Sequence, residues 1–167
     1  MKNNFLYITL ILALCFGIKA QGQSSQVKTI EEKINSLTPR EAQRFDEMIS
    51  GQTSFIFVSN DSNVFFIERE GTEQKVILLE KISAETNLKN SPFKSSIVSS
   101  EILLLDIRNE KDYTEIVNID FKAYSSLKTI VIITYNDIDL KELQNLVLPV
   151  QELGKIEILV KKIETEI

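Results

Sequence analysis

The chain of 167 residues has no histidine, no tryptophan, five glycines, three prolines and a single cysteine, Cys15. Without histidine there is no imidazole base, no Ser-His-Asp triad and none of the usual zinc sites. With one cysteine there is no disulfide framework within the chain, and thiol catalysis rests on Cys15 alone. The glycines, at 17, 22, 51, 71 and 154, are too scattered to form a phosphate-cradling loop. Basic residues are also in deficit, 19 against 24 acidic, and no cluster of Lys and Arg interleaves with aromatics, so nucleic-acid binding is set aside.

The amino terminus reads as an export signal. Lys2 precedes an apolar run from Phe5 to Ile18, followed by Lys19, Ala20 and the polar stretch Gln21 to Gln26. The order of charge, apolar core and small residue places cleavage after Ala20, and the junction resembles bacterial export signals. The apolar run is shorter than the roughly 20 residues that a membrane span needs, which disfavours a retained anchor. Leu12-Ala13-Leu14-Cys15 loosely resembles a lipoprotein signal, although Leu14 stands where a small residue is usual and the apolar run continues past the cysteine. Lipidation at Cys15 is therefore the alternative to a free periplasmic or secreted form. Loss of residues 1–20 removes Lys2 and Lys19 and no acid, leaving 147 residues with 17 basic and 24 acidic side chains, a net charge of −7. No cysteine is left after cleavage, so stability must come from the apolar core.

Residues 21–28 have no apolar period and are expected to be a flexible leader, with one mixed α/β domain over 29–167. Thr29 with Glu32 forms a capping box before Ile30, Ile34 and Leu37. Thr38, Pro39 and Glu41 repeat the signal before Phe45, Met48 and Ile49, and Gly51 suits the left-handed residue that closes a helix. Runs rich in Phe, Val and Ile then predict strands at 55–59, 64–69 and 75–82, separated by Asn60-Asp61-Ser62-Asn63 and Gly71-Thr72-Glu73 and read as an antiparallel meander. Phe55, Phe57, Phe65 and Phe66 suggest either an aromatic platform or, by their Val and Ile neighbours, core; core is the expectation. Asn60-Asp61-Ser62 also matches a glycosylation triplet, which the turn explains equally well.

Residues 83–100, with Pro92 and four serines, predict a long connection able to cover an edge strand or cleft. Three further strands are expected at 102–108, 129–135 and 156–161. The first two are unbroken apolar runs suited to the centre of a parallel sheet, and the third is interrupted by charge and suited to an edge. Asp139 and Glu142 cap a crossover helix whose stripe is Leu140, Leu143, Leu146 and Val147, with Pro149 a point of kinking or early termination. The segment 112–127 fits either helix or irregular turn. The second half is thus βαβαβ-like. Its period near 27 residues resembles a leucine-rich repeat in Leu127-x-x-Ile130-x-Ile132 and Leu153-x-x-Ile156-x-Ile158, implying a solenoid-like half and a repeat-type recognition scaffold. Tyr135 and Lys161 stand where that family's closing asparagine would be, so its asparagine ladder is not expected.

Chemistry concentrates after two strands. Glu110 and Asp112 follow the first central strand and Asp137 and Asp139 the second, where the ends of parallel strands gather ligands. Together they form the candidate site for a hard cation such as calcium, or for a carboxylate-dependent or cation-dependent hydrolase. No Asp-x-Asp-x-Asp-Gly loop is present, and no other cofactor is implied. The shortage of catalytic residue types favours a non-catalytic exported module that binds a protein or other macromolecule through sheet edge and loops.

Overall fold

A computed structural model describes residues 27–61, 63–108, 110–151 and 156–164. The signal, its cleavage site and residues 21–26 of the leader lie outside them. Val27 is buried and Lys28–Thr29 forms β1, so of the residues expected in the leader Val27 joins the core and Lys28 the sheet. Helices α1 (Ile30–Asn35) and α2 (Pro39–Ile49) follow, each entered through the expected capping box: Thr29 and Glu32 exchange bonds at 3.2 and 2.9 Å, and Thr38 pairs with Glu41 in the same way. Gly51 ends α2 with φ of 75°, and Gln52 N–H reaches Glu47 C=O at 3.0 Å.

Strands β2 (Phe55–Val58), β3 (Val64–Ile67), β4 (Val76–Leu79), β5 (Ile102–Ile107), β6 (Thr129–Thr134) and β7 (Glu157–Lys162) complete one mixed sheet in the order β1-β7-β6-β5-β4-β2-β3. All neighbours are parallel except the β2–β3 hairpin. The meander is therefore corrected. β4 does not return beside β3 but lies on the far side of β2, parallel to it, with Phe55 opposite Val76. Passing beneath β2 takes the whole stretch from Glu68 to Lys75, which a short hairpin turn at residues 71–73 could not supply. Strands β5 and β6 are central, as their unbroken apolar runs require. β7 is not at the edge, because the two-residue β1 lies outside it.

The two sheet faces bury different partners. On one, Val76, Ile102, Leu104, Val131 and Leu159 meet Ile30 of α1 and Phe45 and Ile49 of α2. On the other, Ile77, Leu103, Leu105, Ile130, Ile132 and Ile158 meet the connections between strands. Consecutive parallel strands β4 to β7 stack in chain order, and crossovers of one hand then fall on one face. The first crossover is the long connection expected over 83–100, and it holds α3 (Glu85–Asn90) and α4 (Ser96–Ser99), which bury Leu88 and Ile97. The second resolves 112–127 as 3-10 turns over Glu110–Asn118 and Phe121–Ala123 that bury Tyr113, Ile116, Ile119 and Phe121. The third is α5 (Leu140–Gln151), which runs through Pro149 and buries Leu143 and Val147. Among the described residues no helix is long and apolar enough to cross a membrane.

Candidate functional site

At the carboxyl ends of the parallel strands, the acids expected to converge have separate local roles where their side chains are described. Asp137 is 94% exposed and holds the Lys162 ammonium, which lowers the carboxyl below its ordinary range. The Asp139 carboxylate accepts the Lys141 N–H at 2.8 Å at the start of α5. Glu110 and Asp112 lie on the 3-10 segment after β5, and their side chains are outside the described part. Among the described residues no group of three or more Asp, Glu, His or Cys is placed to hold a metal ion.

A different cluster occupies these ends. Asp106 on β5 has a side chain only 10% exposed and accepts from Arg108 Nη2 at 3.0 Å, while the same nitrogen lies 3.4 Å from Glu80. Partial burial and the Asp106 carboxylate raise the Tyr135 hydroxyl. One guanidinium thus bridges two carboxylates, which leaves this cluster with a net negative charge.

The opposite ends carry a charge ladder set by strand register. Lys75, Glu101 and Lys128 stand just before β4, β5 and β6, and Glu101 pairs with Lys75 at 3.0 Å and with Lys128 at 2.7 Å. Glu157 continues the row with Lys33 at 2.6 Å. Beside the ladder, an open cavity of about 670 Å³ lies between α2 and the β3–β4 connection, lined in part by Arg40, Arg44, Glu47 and Lys75. Acids and bases alternate along this seam, which fits a solvated ionic margin that fastens α1 and neighbouring strands.

The feature without an internal counterpart is the outer edge of β3, last in the strand order. Ser59 N–H donates to Asn63 C=O at 3.0 Å, and Arg69 N–H donates to the Ser54 hydroxyl at 2.8 Å. These bonds fix the phase of the hairpin: Phe65 and Ile67 face β2, and the backbone N–H and C=O groups of Val64 and Phe66 turn outward. Side chains alternate across the sheet as well. The Phe65 ring stacks on Phe57 on one face, with centroids 6.0 Å apart, and the Phe66 ring stacks on Phe93 on the other, also at 6.0 Å. Phe65 remains 46% exposed and Phe66 42%.

The expectation that these phenylalanines are core is corrected. Phe55 packs partly against the α2 side, but Phe65 and Phe66 lie on the outermost strand, where Phe57 and Phe93 cover one side of each ring and the rest stays exposed. Their exposure follows from the strand order, which the hydrophobic run does not reveal. The available signal was the acid-rich flank: Asp61 before the run and Glu68 and Glu70 after it suit a solvent-facing edge better than a buried strand. No family model, no curated protein and no solved structure matches the chain.

Proposed function

We propose that the protein is a non-catalytic exported module that binds a protein partner by accepting an extended segment along the outer edge of β3. The carrying observation is the aromatic pair on each face of that edge, Phe57 with Phe65 and Phe66 with Phe93. An added strand would satisfy the outward backbone groups of Val64 and Phe66 and set its alternate side chains against the two pairs, the mode in which main-chain bonds give affinity and side-chain pockets give selectivity. Aromatic rings with exposed apolar surface are also the residues that anchor interfaces. Export to the periplasm or beyond rests on residues 1–20, and mass spectrometry of the native product should find the chain beginning at Gln21 and not at a lipid-bearing Cys15.

A photoreactive residue at position 66, compared with one at Val117, tests the binding site. Val117 is 50% exposed and apolar but lies on the 3-10 segment away from the edge. Adducts with a protein partner in the native compartment should form from position 66 and not from 117. Equal labelling, or none at 66, would contradict the proposal.

A further inference from the structure

The electrostatics of the β3 edge narrow the partner that the preceding reading requires. The hairpin and its exit carry Asp61, Glu68, Glu70 and Glu73 against one base, Arg69. Arg69 is turned back toward the end of α2, its Nε donating to the Gly51 carbonyl at 3.3 Å. Glu73 pairs with Lys75 at 3.3 Å. Asp61, Glu68 and Glu70 are exposed and have no ion-pair partner among the described residues. The apolar edge is thus bracketed by unpaired negative charge at both ends.

We infer that the β3 edge accepts an extended protein segment that is apolar at alternate central positions and carries Lys or Arg at both ends. This rests on the edge-docking reading and adds the identity of the flanks. The extended part, Val64–Ile67, covers roughly 14 Å at about 3.4 Å per residue, and Asp61 and Glu70 stand in the turns beyond its two ends, so the docked segment pairs over about four residues and its basic flanks reach past them. Its alternate apolar side chains share one face and meet Phe66 and Phe93, the side chains between them lie beside Phe65 and Phe57 on the other face, and its ends pair with Glu68 and Glu70 at one side and Asp61 at the other. Opposite charges across adjacent strands stabilise the pairing and like charges oppose it. The same field selects against a second copy of this chain, which would bring its own acid-rich hairpin to the contact.

The test uses the purified protein and two fluorescent peptides of about ten residues, each with a Val-Thr repeat at its centre, one flanked by Lys and one by Glu. Binding is read by anisotropy, and location by the backbone amide resonances of Val64 and Phe66. The expected result is that the Lys-flanked peptide shifts those two amides, binds at least about tenfold more tightly than the Glu-flanked one at low salt, and loses that advantage as salt rises. A Glu68→Lys, Glu70→Lys double variant, changed only at exposed positions, should reverse the preference. Equal binding of both peptides at Val64 and Phe66 would overturn the charge inference and leave edge docking standing. If neither peptide moves those amides, both fall. A dimer formed through β3, seen as concentration-dependent broadening at the same amides, would replace the basic segment with a second copy and overturn the inference.

Discussion

Ser54 and Thr72 are joined at three points: the Ser54 N–H donates to the Thr72 hydroxyl at 2.8 Å, the two hydroxyl oxygens lie 2.9 Å apart, and the Ser54 hydroxyl lies 3.3 Å from the Thr72 carbonyl oxygen. Ser54 is fully buried at the entrance to β2, and its hydroxyl also receives the Arg69 N–H. The pair holds the β3–β4 connection beneath β2, delivering β4 to the parallel position that leaves β3 outermost. The exposed aromatic edge therefore depends on a serine and a threonine away from its rings.

Replacing Ser54 with alanine leaves the Arg69 N–H without its hydroxyl acceptor, while the Thr72 hydroxyl keeps the Arg69 carbonyl and the residue-54 N–H. The expected cost is about 1–3 kcal/mol, the range for orphaning buried polar groups, measured by urea denaturation. A loss below about 0.5 kcal/mol would show that the connection is held by something else.

The second crossover should behave as core despite its irregular backbone. Tyr113 and Thr134 share a buried hydroxyl bond at 2.6 Å, and Tyr113→Phe should cost about 1 kcal/mol. Ile116, fully buried in the same 3-10 segment, should cost about 2–5 kcal/mol when changed to alanine. If Ile116→Ala is neutral in equilibrium unfolding, the segment does not pack as described.

Acid should weaken the charge ladder. Bonds from Lys128 and then Lys75 hold the Glu101 carboxyl below its ordinary value. The folded protein therefore releases this proton more readily than the unfolded chain. Its stabilisation is present above the ordinary carboxylate value of 4.5 and disappears as pH falls through the lowered folded value. Urea midpoints for Glu101→Gln should fall less between about pH 6 and about pH 3 than those of the parent. An unchanged difference would mean that the ladder contributes nothing to acid stability.

The exposed rings should be dispensable for folding. The double variant Phe65→Thr, Phe66→Thr removes one member of each aromatic pair, and its thermal unfolding should show a loss of no more than about 1–3 kcal/mol. Crosslinking from a photoreactive residue at Asn63, also exposed, should fall sharply in that background. Retained crosslinking would argue that the rings do not contact the partner.

Helix boundaries and central strands were legible because their signals are local. Thr29, Thr38 and Gly51 act within a few residues, and the runs 102–107 and 129–134 are covered on both faces. The place of β4 was not legible, since Ser54 and Thr72 are 18 residues apart and polar, and nothing in the periodicity says which side of β2 the chain chooses. The same gap hid the edge: Val64 to Ile67 has the composition of a core strand, and only strand order makes it outermost. Helices α3 and α4 were obscured by Pro92 and the serines, which leave Leu88 and Ile97 as sparse anchors. For the acids, sequence position put Asp137 and Asp139 near the right end of the sheet but could not show that Lys162 and the Lys141 amide already engage them.

Residue-resolved amide hydrogen exchange along β3 tests the central claim most directly. In the free protein the Val64 and Phe66 amides should exchange rapidly, while Phe65 and Ile67, bonded to β2, exchange slowly. With a bound partner, Val64 and Phe66 should slow by at least about tenfold, as expected when an added strand takes their hydrogen bonds. A bound partner that leaves both amides exchanging at their free rates would contradict docking at this edge.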